Sequence, residues 1–234
     1  MKLYCSLIIF LINLTAFGQI KSGTVEYSLA FANDDQLDNG QLSNYMKDAK
    51  KNAHLLSFIL DFENDEMIFY KKEILSSDGN GDVVFAEAFS GVQGKYYRTK
   101  NATTLFSELD DAHIGHYIIE KENNINWTLV NETKQIDQYL CLKATTFIIV
   151  KNSAGEFKRE IIAWYCPSIP TPFGPKGYGD LPGLILELQE RNVIFGAKKI
   201  ILNQTSSPIV KPDIKKAISE AEYNKMLEKI APQD

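Results

Sequence analysis

The sequence is poor in the residue types that most hydrolases and metalloenzymes require. It contains three histidines and three cysteines among 234 residues. It has no G-x-S-x-G motif, no H-E-x-x-H motif and no Walker phosphate loop, and each of these motifs supports a known kind of catalytic site. We therefore expect a non-catalytic protein. A hydrolase built on Asp110 and Asp111, or on Glu120 and Glu122, stays an alternative because carboxylates that meet in space need no sequence motif.

The sequence also lacks an excess of positive charge. It has 25 basic and 30 acidic side chains, which gives a formal net charge of -5. Proteins that bind nucleic acids displace counterions from phosphates with a basic patch. The charge balance therefore argues against nucleic acid as a partner.

Long hydrophobic runs are missing after the first few residues. Residues 7–14 are mostly apolar and follow Lys2, and a small-x-small cleavage site ends at Gly18. This pattern predicts that residues 1–18 are a signal peptide for export. The run is shorter than the roughly 20 residues that span a bilayer, which argues against a membrane anchor. An uncleaved anchor is nevertheless the alternative to a signal peptide. We expect the mature chain, 19–234, to lie in the periplasm or cell envelope without a transmembrane segment.

Alternation of apolar and polar residues is the main pattern in the rest of the chain. It occurs, for example, over residues 23–31, 142–150 and 157–165, and it is typical of strands with one buried face. Residues 33–52 show helical spacing instead. We predict a single α+β domain over 19–234 that is mainly antiparallel β and ends in a short C-terminal helix.

A chain of hairpins with a helix after the first strand suggests an open or half-closed β-barrel with helices packed on its concave side. This arrangement is similar to the lipoprotein-carrier fold, although an analogy of fold is a weak guide to function. Such a fold would enclose an apolar cavity between the sheet and the helices.

The segment between residues 161 and 188 concentrates proline and glycine between two apolar runs. Proline fixes φ and glycine permits positive φ, so a loop rich in both loses little entropy on folding. We predict strand, rigid loop and strand, with the loop near an edge of the cavity. The candidate binding residues at the cavity or its rim are Tyr165, Tyr178, Leu181, Pro182, Gly183 and Leu184. The alternative is that these residues belong to the core.

The same segment resembles a known family. Residues 180–185 read Asp-Leu-Pro-Gly-Leu-Ile, and residues 137–144 hold a turn, an aromatic residue and a Cys-Leu-Lys-Ala run. Both are similar to segments of the GLPGLI family of exported proteins from Bacteroidota-type bacteria. Asp180 stands where the family's signature has glycine. The resemblance covers most of the mature chain and implies export, but it implies no activity.

The mature chain contains two cysteines, Cys141 and Cys166. If the loop between the two flanking apolar runs is symmetric, Lys151 faces Glu156, and the same register brings Cys141 opposite Cys166. That register also collects apolar residues, Phe157 among them, on one core face. In an oxidising compartment a disulfide is expected, worth about 3 kcal/mol. Free thiols and a copper or zinc site are the alternatives.

Two patterns resemble metal sites. Residues 78–82 alternate Asp and Asn with Gly as a calcium loop does, but Phe89 occupies the position where such a loop has a bidentate Glu. His113 and His116 would share a face in a helix and suit Zn²⁺ or Cu²⁺. Gly115 between them disfavours a helix. We expect no bound metal and no cofactor.

These patterns together favour an exported, non-catalytic binding or carrier protein of the cell envelope. Its ligand would be a lipid, another hydrophobic small molecule or a hydrophobic peptide. One alternative is a structural accessory of an outer-membrane assembly, which would bind an envelope protein through an exposed apolar patch. A metal-handling periplasmic protein is the other, and it would require His113, His116 or Cys141 to converge.

Overall fold

The computed structural model describes residues 20–73, 83–111, 115–152, 155–203 and 208–230. The expected signal peptide and the candidate calcium loop lie outside the described residues, and so does His113.

Twelve strands and four α-helices make up the described chain. The strands are β1 (Ser22–Phe31), β2 (Ser57–Glu63), β3 (Glu66–Lys71), β4 (Lys95–Thr99), β5 (Thr104–Asp111), β6 (Gly115–Glu122), β7 (Thr128–Ile136), β8 (Tyr139–Asn152), β9 (Gly155–Cys166), β10 (Leu184–Glu190), β11 (Val193–Leu202) and β12 (Ile218–Ser219). The helices are α1 (Asp35–Asp38), α2 (Ser43–Asn52), α3 (Val84–Ser90) and α4 (Glu220–Ile230), with 3₁₀ turns at Ala53–Leu55, Pro175–Gly177 and Ile214–Lys216.

All twelve strands form one sheet in the order β12-β6-β5-β4-β3-β2-β1-β11-β10-β9-β8-β7. Two antiparallel meanders, β2 to β6 and β7 to β11, are joined by β1, which pairs with both β2 and β11. The predicted barrel is wrong, because β7 and β12 lie at opposite edges of the sheet and do not pair with each other. The protein is mostly antiparallel β in a single sheet that does not close.

The core lies on one face of the central strands. β1 buries every second residue, and Val25, Tyr27 and Leu29 are all less than 4% exposed. The rings of Phe58 and Phe195 meet edge to face with centroids 5.2 Å apart. Helix α2 adds Met46 and Ala49 to the same core cluster. The alternation of apolar residues therefore selects the core face, as the sequence predicts for β1.

The Pro/Gly loop, residues 167–183, runs between β9 and β10 as predicted. Ile169, Phe173 and Leu181 are at most 2% exposed and belong to the main core cluster. These three side chains of the loop are therefore part of the core. Gly183 has φ 157°, and a Cβ there would lie 2.2 Å from the Cys166 carbonyl oxygen, so this close turn requires glycine.

The described chain ends in α4, which lies at the β6 edge of the sheet beside β12. Ser219 and Glu222 form a capping box: the Glu222 N–H donates to Ser219 Oγ at 3.2 Å, and the Ser219 N–H donates to Glu222 Oε2 at 2.9 Å. The Tyr117 and Tyr223 rings pack with centroids 6.0 Å apart. These contacts attach the helix to β6.

Candidate protein-binding site

Strands β8 and β9 form the longest hairpin of the sheet. Their register runs from Leu142 opposite Tyr165 to Asn152 opposite Gly155, and it places Lys151 opposite Glu156. The predicted register is therefore confirmed. It brings Cys141 and Cys166 together at the base of the hairpin, where both are fully buried.

The two cysteines are free thiols, so the predicted disulfide is not formed in this structure. Burial raises the pKa of the Cys141 thiol to about 12, and the neighbouring Cys166 thiol adds to the shift. The Cys166 sulfur lies 3.0 Å from the Ser168 hydroxyl oxygen. A buried thiol with so high a pKa is a poor nucleophile.

In the described part of the chain, no group of three or more His, Cys, Asp or Glu side chains is placed to hold a metal ion. His116 lies on the surface, with Nδ1 2.6 Å from an oxygen of Asp110. The side chain of Asp110 is 83% exposed, and Glu120 and Glu122 are exposed on β6. These carboxylates lie at the surface of their strands, where they are solvated, and none of them is held in a buried pair.

The outer end of the β8–β9 hairpin projects beyond the neighbouring strands. Pairing of β7 with β8 stops at Thr145, and pairing of β10 with β9 stops at Ile161. Among the described strands, residues 147–152 and 155–160 therefore pair only with each other. We call this two-stranded extension the distal ribbon.

The distal ribbon exposes large apolar side chains. Phe147, Ile149 and Phe157 are 50%, 52% and 48% exposed. The prediction that Phe157 is buried with the core is wrong, because the core ends at Ile161 and no described element covers the inner face of the ribbon. On the outer face, Lys158 makes a cation–π contact with Phe147: Lys158 Nζ lies 3.8 Å from the centroid of the Phe147 ring.

A cavity of about 570 Å³ borders β9 along the distal ribbon. Its walls come from the ribbon, the start of α1 and the turn between β10 and β11. The residues that matter for its chemistry are Val150, Phe157, Arg159, Ile162, Gln189 and Arg191. Because Gln189 and Arg191 stand at the end of β10, the cavity continues the line of β10 along β9.

The backbone of β9 supplies unpaired groups to this cavity. In a strand, successive N–H and C=O groups point alternately to the two sides. Those of residues 155–160 that point away from β8 have no neighbouring strand in the part of the chain that the structure describes. A free edge of this kind is a template for pairing with another chain.

Charges on the cavity wall are partly compensated. The Arg191 guanidinium donates two hydrogen bonds to the Asp34 carboxylate, with Nε 2.5 Å from Oδ2 and Nη2 3.0 Å from Oδ1. This contact holds the pKa of Asp34 below its ordinary value. Asp34 also caps α1 by accepting from the Gln36 and Leu37 N–H groups. By contrast, Arg159 makes no ion pair within the described residues, and the same holds for Lys158, Asp35 and Glu160 in the lining.

The six candidate binding residues predicted from the sequence lie in the Pro/Gly loop or at the strand ends beside it, away from this cavity. Tyr165, Leu181, Gly183 and Leu184 are buried in the core, and Pro182 is exposed. None of the six lines the cavity beside β9. The Tyr178 hydroxyl donates to Glu190 Oε1 at 2.5 Å, and burial raises the pKa of Tyr178 well above its ordinary value. These positions hold the loop against the sheet.

Sequence reasoning missed the residue that ties the loop down, Arg98 on β4. It is 1% exposed, forms an ion pair with Asp180, and donates to the carbonyl oxygens of Gly177 and Ala102 at 3.2 Å each. The sequence signal that could have found Arg98 is its position two residues after Tyr96 in a predicted strand, which places both residues on the same, buried face. A basic residue at a core position needs a partner from another part of the chain.

Comparisons with known proteins add a family model and a fold. A model described as a protein of unknown function, Porph_ging, matches residues 152–187, which include most of β9 and the Pro/Gly loop. A search of curated protein sequences finds no significant match. Among the described helices, none is long and apolar enough to cross a membrane.

The solved structure of PNGF-II is similar in fold to this chain. The similarity has a TM-score of 0.54 at 12% sequence identity and covers 89% of this chain and 33% of PNGF-II. The chain therefore spans about a third of the length of that protein. At this identity the likeness concerns the fold alone.

Proposed function

We propose that this protein is an exported, non-catalytic binding protein of the cell envelope that captures an extended segment of an envelope protein on the free edge of β9. The observation that carries the proposal is the side-by-side placement of an unpaired strand edge, a cavity and the half-exposed Phe157. Export rests on the signal-like pattern of residues 1–18 and on the GLPGLI resemblance. N-terminal sequencing of the mature protein is expected to begin at Gln19.

Strand addition is the mode of binding that fits this edge. An extended peptide would pair its backbone with residues 155–160 and continue the line of β10. Six residues of strand are about 20 Å long at roughly 3.3 Å per residue. A segment of similar length would satisfy the unpaired backbone groups of the edge.

The side chains beside this edge define the chemistry of the ligand. Phe157 and Arg159 are two residues apart and share one face of β9, so opposing residues of the ligand are also two apart. Phe157, together with Val150, suits an apolar side chain. Arg159 suits a carboxylate, because it has no counterion among the described residues. The preferred segment therefore has the pattern apolar, any residue, acidic.

The segment that was the candidate for lining a lipid cavity contributes to the core instead, since Phe173 and Leu181 are buried in the main core cluster. An exposed apolar patch is what a structural accessory of an envelope assembly requires, and this observation favours a protein segment as the ligand.

The proposal is tested by selecting short random peptides displayed on phage against the mature protein. Recovered peptides are expected to carry the apolar-x-acidic pattern. Their affinity is expected to fall at least about tenfold, or roughly 1.4 kcal/mol, in Phe157→Ser and in Arg159→Ala. The matched control is Phe147→Ser, which removes an equally exposed aromatic residue from the opposite face of the ribbon. The proposal is overturned if no peptide is enriched, or if the peptides bind Phe157→Ser as tightly as the unaltered protein.

A further inference from the structure

A second cavity, of about 400 Å³, opens on a different part of the surface. It lies where the β4–β5 turn and the β6–β7 connection meet the Pro/Gly loop. The polar side chains in its lining are those of Asn101, Thr103, Asn123, Asn124, Asn126 and Asp180. Its volume falls within the roughly 300–1,000 Å³ that is typical of small-molecule sites.

The lining is rich in groups that both donate and accept hydrogen bonds. Each asparagine side chain offers an N–H₂ donor and a carbonyl acceptor, and the Thr103 hydroxyl does both. The Asp180 side chain is 34% exposed, and its Oδ2 is held by Arg98. No hydrogen bond from the described residues occupies the other carboxylate oxygen, so this oxygen can accept from a ligand.

The walls of the cavity are held in place by the core of the protein. Arg98 donates to Ala102 O at 3.2 Å behind the β4–β5 turn. In the β6–β7 connection, Asn123 Nδ2 donates to Gly177 O at 3.1 Å, and Trp127 Nε1 donates to Gly179 O at 2.7 Å. These bonds fix three separate segments before any ligand arrives, which lowers the entropic cost of binding.

Two features of this cluster are costly for folding alone. Arg98 Nε is buried and has no hydrogen-bond partner within the described chain, and such an atom costs free energy. Asp180 has φ 65°, a conformation at which glycine is the unstrained choice. Both features belong to the Arg98–Asp180 pair, whose carboxylate lines the cavity.

The charge of the cavity excludes ionic ligands. Its single carboxylate is already compensated by Arg98, so little negative charge remains to bind a cation. No lysine, arginine or histidine among the described residues lines the cavity to bind an anion. We infer that this cavity binds a neutral saccharide, because each sugar hydroxyl both donates and accepts a hydrogen bond and so matches amide side chains beside one carboxylate oxygen.

NMR titration of the ¹⁵N-labelled mature protein tests this assignment. The probes are glucose, galactose, mannose and N-acetylglucosamine, each with its disaccharides, together with glucuronate and inorganic phosphate. At least one neutral sugar is expected to shift the side-chain amide signals of Asn101, Asn124 and Asn126. Its dissociation constant is expected to rise about tenfold in Asn124→Ala.

The control variant is Asn131→Ala, which removes an exposed asparagine from β7 outside the cavity and is expected to leave sugar binding unchanged. The assignment is overturned if none of the neutral sugars shifts the three signals, if Asn124→Ala binds as tightly as the unaltered protein, or if glucuronate or phosphate binds more tightly than every neutral sugar. Because these probes do not use the β9 edge, failure here leaves the peptide-binding proposal standing.

Discussion

Arg98 is the residue on which the placement of the Pro/Gly loop depends. It joins β4 to three points of chain: Gly177 and Asp180 in the loop, and Ala102 in the next turn. The sequence separates Arg98 and Asp180 by more than 80 positions, and no local pattern links them. Periodicity identifies a polar residue at a core position, but it cannot identify the partner that compensates it.

Removing Arg98 is expected to destabilise the protein strongly. In Arg98→Met the Asp180 carboxylate loses its partner and two carbonyl oxygens lose a donor. We expect the free energy of unfolding to fall by about 2–3 kcal/mol, less than for a fully buried pair because Asp180 is partly exposed. Urea denaturation measures this change.

The matched control for Arg98→Met is Lys100→Met, which removes the surface pair with Asp65 and should change the free energy of unfolding by less than about 0.5 kcal/mol. Equal stability of the two variants would contradict the role assigned to Arg98.

The ion pair between Asp34 and Arg191, in the wall of the β9 cavity, should make a pH-dependent contribution to the free energy of unfolding. Because Arg191 lowers the folded-state pKa of Asp34, the pair contributes stability above the unfolded pKa of about 3.9 and loses it as the pH falls through the folded pKa. Arg191→Gln should therefore be less stable than the unaltered protein at neutral pH, and the difference should shrink in acid. Urea denaturation over a series of pH values tests this. A difference that stays constant down to the most acid pH would contradict it.

At the scale of elements, the β8–β9 hairpin shows what a local pattern can and cannot predict. Its register follows from a symmetric loop and one apolar face, and the structure confirms it from Leu142 to Asn152. The same pattern placed Phe157 with the core, which is wrong. Alternation says which face is apolar, but whether another element covers that face depends on the length of distant strands, here β7 and β10.

Substitutions along the inner face of β9 should locate the end of the core. Ile161 is fully buried and Phe157 is 48% exposed, although both point to the same face. Ile161→Ala should lower the free energy of unfolding by about 3 kcal/mol. Phe157→Ala should lower it by less than about 0.5 kcal/mol. Chemical denaturation of the two variants measures both values, and a similar loss in both would show that the ribbon is covered.

The cysteines at the base of the hairpin should react slowly. Because the pKa of Cys141 is raised to about 12, almost none of this thiol is ionised at pH 8, and burial blocks access to it. Iodoacetamide should therefore modify Cys141 in urea but not in the folded protein, as followed by mass spectrometry. Modification at the same rate in both states would contradict the buried placement of the thiol.

For the whole molecule, a chain of hairpins is easier to predict from the sequence than whether the sheet closes into a barrel. Each meander follows from local alternation and turns, whereas barrel closure depends on whether the first and last strands meet. Here β1 lies in the middle of the sheet, between β2 and β11, and leaves β7 and the β6–β12 edge far apart. The candidate ligand site also differs from the predicted one. The Pro/Gly loop, which was expected to border a cavity, packs into the core, and the exposed apolar surface lies at the free edge of β9.

Hydrogen exchange of the backbone amides reports whether a partner segment adds to the sheet at β9. Exchange is compared with and without a peptide recovered by display, residue by residue. We expect slower exchange for alternate amides of residues 155–160 on peptide addition, and unchanged exchange along the outer edge of β7. Unchanged exchange at 155–160, or protection confined to another part of the protein, would contradict it.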